Sequence, residues 1–373
     1  MKFLISKDEL IRALSRVQGI VEKRSTNPII ANVLLEITGD SMRVAATDTE
    51  VSFVGRYQVS SERDGAITLG ARQLYEIARL APAETLTFEV PEGSFVVEIS
   101  SGKAFFKVLG LPAADFPSVS DPEEVGGLEI SSVELGSLID KTLFAISADD
   151  TRTGLNGAYL EQAGENGASV LRFIATDGHR LSLCGKPFVG EFKAPRSVLL
   201  PKKGLSELRK LVEDGEGSWR ASFTENQAIF QRGTIAFSMR LLEGDFPDYN
   251  QVIPDGWQRR VILQRDALSA TLRRVSILAS EKSHPVRFAV SGGTVTIRAK
   301  QPETGEAREE LEAEVEGTDV EIGFNARYFR DALQALDTET VAIEIGDSLS
   351  PCLIRPGNGE HDELYVIMPM RLE

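Results

Sequence analysis

The chain has 373 residues, 42% hydrophobic and 26% charged, a globular profile with length for two or three domains. No apolar run reaches the roughly 18 residues of a membrane-spanning helix, and the start MKFLISKDEL lacks a secretory signal's apolar core. Two cysteines without CxxC spacing, Cys184 and Cys352, fit a reducing cytoplasm, and the formal net charge of −15 speaks against a nucleic-acid partner unless the charges are segregated.

In chain order, the first predicted element is an amphipathic helix, SKDELIRALSRVQGIVEKR from Ser6. Leu10, Leu14, Val17 and Val21 follow one buried helical stripe, and Ser6 with Glu9 has capping-box spacing. Short β-branched segments follow (ANVLLEI, MRVAATD, TLTFEV, FVVEIS, AFFKVLG) and read as strands separated by turn residues. Among them LGARQLYEIARLA, from Leu69, predicts a second helix.

The pattern then recurs. SSVELGSLIDKTLFAIS from Ser131 answers the first helix, with Leu135, Leu138, Ile139 and Ile146 on its stripe and Glu134 three residues after Ser131. LPKKGLSELRKLV from Leu200 aligns without gaps on the second helix, and VLRFIATD, WRASF, AIFQRG and IAFSMRL supply strands. A third copy carries QRDALSATLRRVSILAS from Gln264, with Leu268, Leu272, Val275 and Leu278 on one stripe, and FNARYFRDALQAL from Phe324. Its strands are VRFAVSG, TVTIRAK and VAIEIG, and it closes on YVIMPMRLE.

The second-helix repeats start 131 and 124 positions apart, which predicts three α+β domains, residues 1–120, 128–250 and 259–373, each with two helices and antiparallel sheets. SVSDPEEVGG and NQVIPDGWQRR read as linkers, too short for independent beads, so equivalent faces should line up in a curved or closed array. Basic residues collect on the helices: Lys7, Arg12, Arg16, Lys23 and Arg24, then Arg72, Arg79, Lys202, Lys203, Arg209 and Lys210, then Arg265, Arg273, Arg274, Lys282, Arg327 and Arg330. Acids crowd strands and loops, as in EELEAEVEGTDVE. Helices sharing one side would make that side positive on an acidic molecule; Asp149 and Asp150 in the middle copy oppose the trend.

MKF at the start, ATDGHRL, FPDY, LNG after Arg152 and the terminal MPMRL together resemble the bacterial DNA polymerase III sliding clamp family over the whole chain. The resemblance implies a DNA-clamp fold and a head-to-tail dimeric ring. Helices would line a hole around duplex DNA, tethering the replicative polymerase with no catalytic residue, cofactor or metal. Carried over, DNA contacts fall on Arg24, Arg72, Arg79, Arg152, Lys203 and Arg209. The dimer interface falls on Arg72, Phe106 and Val108 on one side and Ile277, Leu278, Glu303, Glu306, Glu309 and Glu310 on the other. A pocket for short peptides of the polymerase, the clamp loader and other partners comprises Leu155, Thr176, Gly178, His179, Arg180, Leu181, Pro247, Val252, Val366, Met368, Pro369, Met370, Arg371 and Leu372, with Arg180 and Arg371 reaching peptide carbonyls or acids at its rim. Gln251 stands where well-studied members carry arginine, and Thr153–Gly154 where aromatic DNA contacts are known.

ATDGHRLSLCG, from Ala175, also admits a different class of function: a hydrolase or transferase with His179 as base, Asp177 orienting it and Cys184 as nucleophile. Its counterpart ATDTEVSFVG, from Ala46, has neither histidine nor cysteine, and no H-E-x-x-H, G-x-S-x-G or Walker A motif appears. A monomeric scaffold that never encircles DNA is the third reading.

Overall fold

The computed structural model describes residues 1–21, 27–119, 121, 127–149, 151–164, 169–193, 198–280, 283–303, 305–359 and 362–371. Of the residues singled out above, Lys23, Arg24, Asp150, Lys282 and Leu372 lie outside them. Each repeat carries two helices: α1 (Lys7–Ser15) and α2 (Ala71–Leu80), α3 (Ser132–Thr142) and α4 (Lys202–Glu213), α5 (Arg265–Val275) and α6 (Ala326–Ala335). Every one begins on the residue after a strand ends. Ser6 and Asn325, extended like the strands they close, also serve as N-caps, accepting from the Glu9 N–H at 3.2 Å and the Arg327 N–H at 2.9 Å. Most of the predicted stripe residues are buried: Leu10, Leu14, Leu135, Leu138, Ile139, Leu268 and Leu272 are fully enclosed, while Leu278 is half-buried.

The first helix is shorter than its apolar periodicity predicts. The N–H groups of Val17 and Gln18 bond back three residues, to the Leu14 and Ser15 carbonyls, and the chain tightens into turns in which Val17 and Val21 stay buried. Gly19 lies so close to the α4 residue Glu207 that a Cβ there would clash with its carboxylate. Likewise α3 and α5 give way to 3-10 turns at Leu143–Ala145 and Ser276–Leu278.

The chain divides into two compact units, Met1–Val133 with Val189–Arg196 and Lys203–Leu241, and Glu134–Phe188 with Ser197–Lys202 and Leu242–Glu373. The second repeat contributes strands to both. The first unit holds a five-stranded sheet, Ser60–Arg63, Lys2–Ser6, Thr85–Glu89, Val96–Ser101 and Ala104–Leu109 in spatial order, and a nine-stranded sheet. The second holds another nine-stranded sheet and a four-stranded one, Gly305–Glu312, Thr294–Gln301, Pro285–Ser291 and Val320–Asn325.

Both nine-stranded sheets are built across a repeat boundary in the same way. In the first unit Ile235–Arg240 of the second repeat pairs antiparallel with Val51–Gln58 of the first, Phe237 opposite Phe53. In the second unit Glu363–Ile367 of the third repeat pairs with Arg180–Pro187 of the second, Tyr365 opposite Ser182. Each joint adds the last strand of one repeat to the strand after the Ala-Thr-Asp turn of the repeat before. The two remaining strands of these types, Ala104–Leu109 of the first repeat and Gly305–Glu312 of the third, are edge strands of their sheets.

Candidate functional site

The Ala-Thr-Asp stretch is a turn built by its own side chains. Thr176 Oγ1 accepts from the Gly178 N–H at 3.0 Å and donates to the Arg180 carbonyl at 2.6 Å, while Asp177 Oδ1 accepts from the His179 and Arg180 N–H groups at 2.9 and 3.1 Å. In the first repeat Thr47 and Asp48 make the same bonds to Thr49, Glu50 and Val51. Gly178 (φ +88°) and its counterpart Thr49 (φ +80°) share the left-handed conformation the turn requires.

This geometry rules out the nucleophile reading. Leu181 and Leu183 face a cluster with Ile174, Leu353, Leu364 and Val366, and Cys184 lies on the opposite face of the strand, fully buried. Burial first, and the nearby Glu363 carboxylate next, push the Cys184 thiol up to about 12, so it stays a protonated, inert thiol. Among the described residues, no cluster of His, Cys, Asp or Glu could hold a metal ion.

What the turn does is frame a cavity of about 220 Å³ on the cluster's face. Leu155, Thr176, Gly178, Arg180, Leu181, Pro247, Val252, Val366 and Met368 line it as expected from sequence, together with Asp248 and Tyr249. Phe246, Tyr249, Val252 and Ile253 pack on the cluster beneath. Phe246 stacks on Tyr159 with centroids 5.2 Å apart. A second, wider cavity of about 830 Å³ takes in Leu349, Pro369, Met370 and Arg371, and Met368 lines both. The Met368 N–H is held by the His179 carbonyl at 2.9 Å, and the Met370 N–H by Gly323 at 2.8 Å. His179 itself is exposed outside the smaller cavity, its ring stacked toward Tyr328 at 6.4 Å.

Arg180 departs from its expected role. Its side chain is 11% exposed, and the guanidinium is bonded to Asp177 at 3.0 Å, Asp331 at 2.5 Å and the Phe144 carbonyl at 2.7 Å and lies 4.6 Å from the Tyr328 ring centroid. It braces these elements while still lining the cavity, and three of its five N–H donors are committed to those partners. Asp248, Tyr249 and Leu349 escape sequence reasoning, although FPDY already marks the loop that supplies the first two.

Other predicted residues are scattered. Arg72 is exposed on the first turn of α2, with no ion pair among the described residues, and Arg79 pairs with Glu76 at 2.8 Å. Lys203 bonds Asp48, Arg209 pairs with Glu213 at 3.0 Å, and Arg152 pairs with Asp149 at 3.6 Å. On the edge strand Ala104–Leu109, Val108 points inward and is buried, Phe106 is half-buried, and Phe105 and Leu109 are the exposed apolar residues. Ile277 is 77% exposed and Leu278 half-buried; Glu303, Glu306 and Glu310 are exposed. Glu309 is not a free acid: Arg274 Nε binds it at 2.9 Å and Thr271 Oγ1 at 2.8 Å, and these hydrogen bonds, Arg274's foremost, hold its carboxyl below the usual range.

Family models of the DNA polymerase III beta subunit match the chain three times in succession: the N-terminal domain over residues 1–120, the central domain over 129–248 and the C-terminal domain over 250–371. The chain is 36% identical to the beta sliding clamp of Pseudomonas putida over 374 residues, covering all of both chains. It superposes on the DNA polymerase sliding clamp of Bacillus subtilis with a TM-score of 0.94 at 29% identity, and on the sliding clamp of Pseudomonas aeruginosa bound to griselimycin with a TM-score of 0.92 at 35% identity, again over the full length of each.

Proposed function

The chain belongs to the DNA polymerase III beta-subunit family, the sliding clamps, and from that premise we propose which of its own parts carry out the family's work. It is a non-catalytic processivity factor that tethers the polymerase to DNA. The single observation that carries the residue-level reading is the recurrence of one joint. Twice within the chain, a repeat's last strand completes the sheet of the repeat before it, and one strand of each type remains at an edge. In a head-to-tail dimer, Ala104–Leu109 of one copy adds to Gly305–Glu312 of the other, twice, so six repeats are joined by six equivalent ladders and the ring closes.

Such an interface joins unlike surfaces. Phe106 and Val108, on the inward face of their strand, extend the partner's apolar layer at Ala307 and Leu311, with Ile277 and Leu278 alongside, while Lys107 meets a strand carrying Glu306 and Glu310. Positive helices around the duplex then hold it by Coulomb attraction and counterion release, reading no bases. Arg79, Arg152, Lys203 and Arg209 already share neighbouring carboxylates, which keeps each phosphate contact weak and suits sliding. The cavity under Met368 receives apolar side chains of a partner's short linear segment; methionine and leucine walls adapt to many sequences. No helix among the described residues is long and apolar enough to cross a membrane. We read a protein that works on the bacterial chromosome as cytoplasmic.

Sedimentation equilibrium tests the ring. A particle near twice 40.8 kDa is expected at micromolar concentration. A species of 40.8 kDa under the same conditions would refute it.

A further inference from the structure

The segment from Phe246 to Trp257 crosses the face of the nine-stranded sheet that bears the peptide cavity, and a further cavity of about 310 Å³ opens beyond it. Strand register sets the two in one row: Leu181 lies opposite Val366, Val366 opposite Leu353, Leu353 opposite Glu344 and Glu344 opposite Arg260. Residues directly opposite in antiparallel strands share a face, so this row runs from apolar to charged.

At the charged end one carboxylate serves two cations. Glu344, 11% exposed, accepts from Arg355 Nε at 3.2 Å and stands 3.8 Å from Arg260 Nε. At that distance Arg260 Nε has no hydrogen bond, although the atom is buried. Among the described residues neither guanidinium has another acidic partner: Glu316, opposite Arg260 on the edge strand, makes no ion pair with it, and Asp255 is exposed on the cavity's lip. Trp257, 42% exposed, and Pro254 form an apolar wall beside them. A half-buried guanidinium short of acceptors is the chemistry that recognises a carboxylate, in fork-to-fork geometry, with the indole covering its methylene stem.

We propose that this cavity is a second anchor for the partner segments that fill the first, taking the side chain of an aspartate or glutamate. The inference rests on the peptide-docking reading above. Two to three strand spacings separate the anchors, about 10–14 Å, which an extended chain covers in about three to five residues.

The experiment is fluorescence polarisation with a labelled apolar peptide that binds the first cavity. Extended versions carry glutamate or glutamine three, four or five residues beyond the apolar anchor, on either flank. At one spacing the glutamate peptide should bind about three- to tenfold more tightly than its glutamine twin at low salt, with the advantage fading as salt rises. R260Q and R355Q should each reduce that ratio and D255N should enlarge it, while all three bind the unextended peptide as the parent does, which reports that they fold. Equal affinity of the twins at every spacing, or a ratio untouched by both arginine variants, overturns the inference alone. Failure of the unextended peptide to bind the parent protein overturns the docking reading and this inference with it.

Discussion

The phenol of Tyr249 donates a hydrogen bond to Glu161 Oε1 at 2.6 Å and thereby fixes one wall of the peptide cavity. Glu161 stands two residues from Tyr159 on the same strand, hence on the same face, and Tyr159 carries the stacked ring of Phe246. The loop is pinned at both contacts. Burial first, and the Glu161 carboxylate next, raise the phenol above its ordinary value, so it remains a donor throughout the neutral range. Y249F should weaken binding of an apolar partner peptide about three- to tenfold, less than the full worth of one hydrogen bond to a charged acceptor, about 1.5–3 kcal/mol, because the bond acts on the peptide only through the position of the wall. A calorimetric titration alongside a thermal melt checks this; unchanged affinity would show that the wall holds itself.

Met368 lines both the narrow and the wide cavity while remaining only half-buried in the free protein. M368A should therefore lose about tenfold in peptide affinity while costing less than about 1 kcal/mol in stability, measured by titration and urea denaturation.

Stability at the joint of the second and third repeats centres on Lys141, whose side chain is 6% exposed and whose ammonium is bonded to Glu363 at 2.5 Å and Asp337 at 2.9 Å. Burial alone would lower the lysine, but the hydrogen bonds to Glu363 and Asp337 outweigh it and leave the folded pKa above the ordinary 10.5. A raised folded pKa means the pair contributes fully below pH 10.5 and is lost as pH rises through the folded value. K141M leaves Glu363 with the Tyr365 hydroxyl but no countercharge and should cost about 3–5 kcal/mol in urea, whereas K141M/E363M should recover most of that. The alkaline limb assigned to this pair should also vanish in the double variant.

DNA contact by exposed helix arginines has a salt signature. R72A and R79A should each lower the slope of log affinity against log salt by about one, with equal loss on every DNA sequence. A sequence-dependent loss would mean that these residues read bases.

Much of this was legible in the residues because burial follows period. Leu10 and Leu14, Leu135 and Leu138, and Leu268 and Leu272 mark helices by spacing alone, and their recurrence reveals the repeats. The Thr-Asp turn could be recognised as structural because Thr47–Asp48 does the same work without a histidine. Side-chain direction and long-range partners were not legible. Val108 turns inward because its strand alternates, which places the exposed apolar surface at Phe105 and Leu109. Arg180 is tied to Asp331, 151 positions away, and Glu309 to Arg274, 35 positions away. Tyr249 belongs to the cavity because Glu161 holds it, a relation no local spacing encodes.

Enclosure of DNA, rather than contact strength, is the central claim, and one measurement addresses it directly. The protein is loaded by a clamp loader onto nicked circular DNA, separated from free protein by gel filtration, and the circle is then cut once with a restriction enzyme. The ring is expected to stay on the intact circle and to leave within minutes once the DNA has ends. Retention on the linear product with both ends free would contradict topological tethering.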